Sequence, residues 1–441
     1  MARETRTYRL WQHEVKPPKK PDRTVIAKVS ADAAAPTRTP ASSLSAGGRA
    51  ARAAGVPHDS GLARLIDNGH VSSIKNVFDE GPEEARTLSM FAAGRAGRGP
   101  KSSRSPRLVE LKVAKGTTPA QLAAHVARMN GVEYAFVPPV REAFARRRRP
   151  KAGADPLASR QWSHGAIRLG QARAAAGFKN ATNITIAVVD SGIDKTHPDL
   201  AATITEYKNF LGGSDKDFVG HGTHVAGIIA AIAGNDLGIS GVCGGKILAL
   251  KVLPRDGQEF DAPAYYRALR YVIGRAQVLN LSLGGEKDPA EIDVLDDVIA
   301  AGVVVVAAMG NEYEEGNPIE YPAAIPEVCA VGATNELDRR AGFSNTGRHI
   351  DLVAPGVGIL STTPTFNYDG DGEQDFDSWD GTSMATPHVA AAAALLLAKS
   401  PGMTPAQVIR KLTSSADRVA GAKKGSMAYG GGRLNCQKAL R

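Results

Sequence analysis

Residues 183–190 read NITIAVVD, and residues 221–234 read HGTHVAGIIAAIAG. The first is an apolar run of strand length that ends on a carboxylate. The second carries apolar residues at helical spacing and opens on a histidine. The alternation continues outward: ILALKVL (247–253) and VLNLSL (278–283) read as strands, with PAYYRALRYVIGRA (263–276) between them as an amphipathic helix. AEIDVLDDVIAAG (290–302) is a further helix, VVVVAAMG (303–310) and EVCAVGAT (327–334) are strands, and SMATPHVAAAAALLLAKS (383–400) is a long apolar helix. Near-continuous apolar strands alternating with helices predict an α/β fold, a parallel sheet sandwiched by helices. Functional side chains in such sheets gather at the carboxyl ends of the strands.

Ahead of this block the chain changes character. Residues 33–55 (AAAPTRTPASSLSAGGRAARAAG) and 94–106 (GRAGRGPKSSRSP) read as flexible, so residues 1–104 are expected to form a low-complexity arm. Within it LARLIDNGHVSSIKNVF (62–78) has helical character but is too short for a domain. Residues 105–145 hold a strand–helix–strand unit: RLVELKVAKG, a helix starting at Thr118-Pro119 and ending at Gly131, and VEYAFV. A unit of this size needs a partner surface to be stable. Residues 146–160 form a basic linker, Arg146 to Arg149 followed by Pro150, with the features of a processing region. Residues 161–441 form the main domain.

The 441 residues carry a net charge of +9, divided unequally. Residues 1–160 hold 29 Lys/Arg and 14 Asp/Glu, a balance of +15; residues 161–441 hold 25 and 31, a balance of −6. A basic arm could bind nucleic acid or an anionic membrane surface, but the charge is scattered and aromatics are sparse, which favours a basic leader docking on its own acidic domain. Cys243, Cys329 and Cys436 are odd in number and widely spaced, with no zinc pattern and no disulfide framework. No apolar run is long enough to span a membrane. The N-terminal residues show no apolar segment of an export signal, so the cytoplasm is the default expectation for localisation.

Four residues stand where chemistry is expected. Asp190 ends a strand, and Ser191-Gly192 follow it. His221 opens a helix; His224 lies three residues on, but without the glutamate of a zinc-binding HExxH pattern it reads as a packing histidine. Ser383 sits at a helix N-terminus, where backbone N–H groups favour developing negative charge. Asn311 follows a strand and can donate its amide to an oxyanion. Each has a bland alternative: a turn Asp, a helix cap, a Gly-Asn turn.

The ordered set DSGIDKTHPDL, HGTHVAG, LNLSLGG, AAMGNE and GTSMATPHVA resembles the subtilisin family of serine peptidases across about residues 160–420. The resemblance implies a serine endopeptidase acting on polypeptide substrates. Ser383 would be the nucleophile, His221 the base, Asp190 the residue that orients it, and Asn311 the oxyanion donor. Ser282, Leu283 and Gly284 match the family's substrate-pairing edge strand. The 105–145 unit resembles the family's inhibitory propeptide, which implies a zymogen whose leader is removed autocatalytically somewhere between residues 141 and 160. Structural Ca²⁺ is implied at Asp199 and Asn235, with backbone oxygens of Ala233, Leu237 and Ile239 and the side chain of Gln161; no organic cofactor is expected. DGDGEQDFD (369–377) offers Asp369, Asp371, Glu373, Asp375 and Asp377 as a second cation loop, or as a solvated acidic loop. By the same resemblance NEYEEGNPIEYP (311–322) lines the P1 pocket, with Glu312, Glu314, Glu315 and, at its base, Glu320. A carboxylate there would favour Arg or Lys at P1 and make the leader's Arg run a self-substrate. One departure is Ala391, where the family usually has Gly; one added methyl predicts a small packing shift.

Overall fold

The computed structural model describes residues 24–29, 46, 61–68, 70–77, 107–114, 118–138, 141–143, 146–148, 157–254, 261–366, 368, 375–423 and 425–441. In chain order the leader comprises β1 (Thr24–Val29), α1 (Gly61–Asp67), β2 (Val71–Asn76), β3 (Arg107–Val113), α2 (Pro119–Val126) and β4 (Val132–Phe136), followed by two short strands, β5 (Arg141–Ala143) and β6 (Arg146–Arg148). The main domain contributes β7 (Thr185–Asp190), β8 (Ile204–Asn209), α3 (His221–Ala230), β9 (Lys246–Lys251), α4 (Ala262–Tyr271), β10 (Val278–Leu281), β11 (Leu283–Gly285), α5 (Pro289–Ala300), β12 (Val304–Ala308), β13 (Cys329–Thr334), β14 (Leu352–Pro355), β15 (Ile359–Thr362), β16 (Phe376–Asp380), α6 (Thr382–Lys399) and α7 (Pro405–Ser415).

Seven strands in the order β14-β13-β12-β10-β7-β9-β8 form the central sheet, and every neighbouring pair is parallel. Alternate residues of one strand serve two cores. Ile186 and Val188 of β7 face the apolar layer of α3 and α6, while Ala187 and Val189 face that of α4 and α5. Burial on both faces explains the unbroken apolar runs in the sequence. The α/β sandwich expected from the sequence is the fold observed.

The leader departs from expectation. Its sheet has four antiparallel strands in the order β2-β3-β1-β4, so the boundary placed at residues 104/105 falls inside one sheet. TVIAKV, within the supposed flexible arm, is a central strand whose Val25, Ile26 and Ala27 are fully buried. The stretch 62–78 is half helix and half strand. The expected strand–helix–strand unit is present as β3, α2 and β4. Thr118 caps α2 in a reciprocal capping box with Gln121 and Pro119 takes the first turn, as the sequence suggests. Leu122 and Val126 lie on α2, which packs on β1 and β4, each side chain contributing roughly 1.5–3 kcal/mol of apolar burial.

The leader also rests on the main domain. Ile26, Val77 and Leu108 join the apolar layer of α4 and α5. Asp293 on α5 accepts a hydrogen bond from Tyr134 Oη at 2.6 Å and one from Lys28 Nζ at 3.0 Å, and Lys28 also pairs with Glu133 at 3.2 Å. Burial alone lowers the Lys28 pKa, but the hydrogen bonds and charges of Asp293 and Glu133 outweigh it and raise the ammonium above its ordinary value.

Candidate active site

β7 carries Asp190 to the carboxyl rim of the sheet, and α3 starts against that rim. The approach is close because Gly222 has no side chain: a Cβ there would lie 2.1 Å from the Gly192 carbonyl oxygen and 3.0 Å from the Asp190 Cβ. Gly220, the N-cap of α3, has φ of 80° and lies against the ring of Tyr368. These two glycines bring His221 onto Asp190. The His221 Nδ1 lies 2.8 Å from Asp190 Oδ1 and 2.9 Å from Oδ2, and both residues are buried. An ionised carboxylate can only accept, so Nδ1 carries the hydrogen and Nε2 is left as the basic nitrogen. Nε2 is buried and has no hydrogen-bond partner among the described residues.

A layer behind this pair holds it in place, and the sequence reading missed it. Asp217, fully buried, accepts from the Val219 and Gly220 amides, from the Ser191 hydroxyl at 2.8 Å, and from the Thr223 amide and hydroxyl. It therefore ties the first turn of α3 to the residue after Asp190. The Ser191 amide donates to Asp190 Oδ1 at 2.7 Å, and Lys251 Nζ donates to the Ser191 carbonyl. Burial raises the Asp217 pKa against the hydrogen bonds of Thr223 and the charge of Lys251; burial likewise lowers that of Lys251. The available signal was an aspartate four residues ahead of the histidine, in capping range of the helix start.

Ser383 lies in the first turn of α6, at the same rim. Its Oγ donates to the Ser282 carbonyl at 2.9 Å, and Ser282 Oγ donates back to the Ser383 carbonyl at 2.9 Å. Asn280 Nδ2 donates to Ser282 Oγ. In this arrangement the hydroxyl is docked on Ser282, and no Ser383–His221 hydrogen bond is formed. Asn311 is fixed through its oxygen, which accepts from Thr382 N and Thr382 Oγ1, each at 3.0 Å. Thr382 N can only donate, so the other end of that amide, Nδ2, is the donating end.

Leu283 and Gly284 lie in β11, whose edge is taken by β5 of the same chain. Ser282 precedes them and contacts Ser383 directly. Trp379 of β16, which the sequence reading did not single out, lies over the histidines. Its ring is 6.4 Å from that of His221 and stacks on His224 at 4.7 Å. His224, with Nε2 3.2 Å from the Asp377 carbonyl and burial pushing it down to about 3, is the packing histidine expected.

The glutamates of 311–322 separate. Glu314 and Glu315 are exposed on a single turn, and the Glu312 carboxylate accepts from the Asn311 amide at 2.7 Å. Glu320 is buried, its Cγ lying 2.7 Å from where a Gly310 Cβ would be.

The proposed cation ligands also gather, in part. Asp199 is fully buried; Oδ1 accepts from Asn235 Nδ2 at 2.6 Å and Oδ2 from the Ile239 amide at 2.9 Å. The Leu237 amide donates to Asn235 Oδ1, and Gln161 bonds both backbone groups of Ser240. Ala233 is exposed at the start of the loop. At Gly238 a Cβ would lie 2.1 Å from the Phe376 ring and 2.5 Å from Asp199 Oδ2, so the loop can pack this closely only on a bare Cα. A buried carboxylate, two side-chain amides and loop carbonyls are an all-oxygen set that fits a hard cation. Among the described residues no group of three or more His, Cys, Asp or Glu forms a metal cage. In the second candidate loop Asp369, Asp371 and Glu373 lie outside the described residues. Asp377 is committed to the Ser378 amide and Trp379 Nε1, and Asp375 enters the contacts as a backbone acceptor for His197.

The subtilase family model matches residues 181–432, more than half of the chain. The chain belongs to the subtilase family. It is a subtilisin-like serine endopeptidase. Subtilisin of Bacillus pumilus is 40% identical over 273 residues, which is 59% of this chain and 92% of that protein. Subtilisin E of Bacillus subtilis strain 168 is 40% identical over the same share of this chain and 66% of its own length. The crystal structure of fervidolysin from Fervidobacterium pennivorans, a keratinolytic enzyme related to subtilisin, superposes with a TM-score of 0.65 at 26% identity, covering 82% of this chain and 59% of that one. That 82% is more than residues 161–441 can supply, so the likeness of this subtilase to fervidolysin reaches back into the leader. Among the described residues no helix is long and apolar enough to cross a membrane.

Proposed function

We propose that this subtilase hydrolyses peptide bonds through Ser383, His221 and Asp190, with Asn311 as oxyanion donor. The observation that carries the reading is the His221–Asp190 pair, which leaves Nε2 as a buried base at the rim that also holds Ser383. Rotation about the Ser383 Cα–Cβ bond releases Oγ from Ser282 and presents it to Nε2. Oγ then attacks the substrate carbonyl as Nε2 takes its proton, and Nε2 passes that proton to the departing amine. Asp190 holds the tautomer and stabilises the imidazolium. Asn311 Nδ2 and the Ser383 amide receive the developing oxyanion at the helix N-terminus. A fluorophosphonate probe is expected to label the protein at Ser383 and to leave Ser383→Ala unlabelled; an unlabelled wild-type protein rejects the reading.

Three finer features belong to the same proposal. The protein is made as a zymogen whose leader inhibits it: β5 covers the β11 edge, and the four-stranded sheet rests on α4 and α5. Glu320 at the base of the P1 pocket selects Arg or Lys; Glu320→Ala should abolish the preference for basic over aromatic P1 residues in a peptide library. Ca²⁺ is held by Asp199, Asn235, Gln161 and carbonyls of the 233–239 loop, where it would neutralise the buried Asp199 carboxylate and stiffen the loop. EGTA is expected to lower the melting temperature of the wild-type enzyme and to leave that of Asp199→Ala unchanged; equal sensitivity in both argues against this site.

A further inference from the structure

The helix that carries the nucleophile has a proline in its second turn. α6 is helical without interruption from Thr382 to Lys399, and Pro387 lies inside it. Proline has no N–H, and its ring crowds the carbonyl four residues back. That carbonyl belongs to Ser383. The carbonyls on either side are served from within the helix: Thr386 Oγ1 donates to the Thr382 carbonyl at 2.8 Å, and His388 Nδ1 lies 2.8 Å from the Met384 carbonyl. The nucleophile's own carbonyl is denied its helical donor. Ser383 is fully buried, where an unsatisfied carbonyl is costly.

The donor comes from the sheet. Ser282, which directly follows β10, donates its hydroxyl to the Ser383 carbonyl at 2.9 Å. Asn280, two residues earlier and on the same face, donates Nδ2 to Ser282 Oγ at 3.0 Å. Asn280 thus fills an acceptor position of that hydroxyl and leaves its one hydrogen for Ser383. Asn280 and Ser282 are both fully buried.

We infer that Ser282, oriented by Asn280, is a positioning residue for the nucleophile: its hydroxyl supplies the hydrogen bond that Pro387 denies to the Ser383 carbonyl. This role rests on the catalytic reading proposed above. Two bonds join Ser282 and Ser383, and they serve different stages. The bond from Ser383 Oγ to the Ser282 carbonyl, 2.9 Å, must break before attack. The bond from Ser282 Oγ to the Ser383 carbonyl involves no reacting atom and persists. It pins the backbone of residue 383 while the side chain turns, so rotation about Cα–Cβ alone carries Oγ from Ser282 toward His221 Nε2. The same pin steadies the Ser383 amide, the second oxyanion donor. The hydroxyl acts only through Ser383, so its loss falls on kcat rather than on KM.

The test measures kcat and KM on a chromogenic peptide for the wild-type chain, Ser282→Ala, Pro387→Ala and the double variant, each normalised to the sites that a fluorophosphonate titrates. Ser282→Ala keeps the Ser282 carbonyl and loses only the hydroxyl. It should lower kcat at least about tenfold and leave KM within about twofold. In the Pro387→Ala background the restored N–H holds the carbonyl, and the same change should cost less than about threefold. Taking the ratio inside each background cancels whatever the lost ring does by itself. An undiminished kcat in Ser282→Ala, or an equal loss in both backgrounds, overturns the positioning role and spares the catalytic reading. If Ser282→Ala titrates no sites, the double variant decides: sites regained there support the role, and sites still absent overturn it. A wild-type chain that neither labels nor cleaves the peptide overturns the catalytic reading beneath it.

Discussion

The amide of Asn311 is fixed at one end so that the other can act. Thr382 donates to its oxygen twice, which orients Nδ2 without any partner on that nitrogen having to move. Asn311→Leu keeps the volume and removes the donor. The expected result is the loss seen when a subtilisin gives up its oxyanion asparagine, about 10²–10³ in kcat with KM little changed. Steady-state kinetics on a peptide substrate checks it, and an unchanged kcat would remove Asn311 from the site. At this scale the sequence was legible wherever a residue sits inside a short motif: Asp190, His221, Asn311 and Ser383 all fall on the carboxyl rim. It was not legible for Asp217, Ser191 and Lys251. Their importance comes from meeting in space, and an aspartate four residues before a histidine looks like any turn residue.

The start of α3 depends on a missing methyl group. At Gly222 the obstruction to a Cβ is backbone, the Gly192 carbonyl oxygen at 2.1 Å, and backbone cannot swing aside as a side-chain tip would. Gly222→Ala must therefore push α3 away from β7 and lengthen the His221–Asp190 contact. Overpacking of this kind costs about 1–3 kcal/mol, and a 1 Å displacement at the base can cost about 10² in kcat. Urea unfolding of Gly222→Ala in a Ser383→Ala background, with kcat measured in the active background, separates the two effects. Full activity would show that the helix start tolerates the shift. Elements with a strong period or a cap were readable in advance, as with α2 behind Thr118 and the apolar strands of the central sheet. β1 was not. Its six residues sit among Ala-, Pro- and Arg-rich stretches, and its strand partners β3 and β4 lie about eighty or more residues away, so composition outweighed a short apolar run.

Two buried histidines tie the stability of the whole molecule to pH. Burial pushes His224 down to about 3 and His388 down to about 4, with His388 Nδ1 2.8 Å from the Met384 carbonyl in the middle of α6. The unfolded chain takes up these protons near pH 6.5 and the folded one does not, so their stabilisation is complete above that value and is lost as pH falls toward 4. Asp351 works in the opposite sense: burial raises it to about 6, and its contribution falls as pH rises from about 3.8. Each of these three groups accounts for roughly 3 kcal/mol or more across its full range; Asp217, raised by burial, adds to the carboxyl side, while His164, pushed down to about 3 by burial, and Asp194 and Asp417, lowered by their hydrogen bonds against burial, add to the histidine side. Ser383→Ala, which cannot digest itself, should melt at a lower temperature at pH 4.5 than at pH 7. An equal or higher melting temperature at pH 4.5 would contradict this balance.

The three-residue edge of β11 pairs with β5 through backbone alone, and a backbone does not say whose it is. An open edge also invites pairing between molecules. If β5 leaves on processing, as proposed above, neighbouring copies of the enzyme become food for one another at any concentration high enough for them to meet. The shelf life of a processed stock is then set by how long something else lies along Leu283–Gly285, and a short non-cleavable peptide laid there should preserve it.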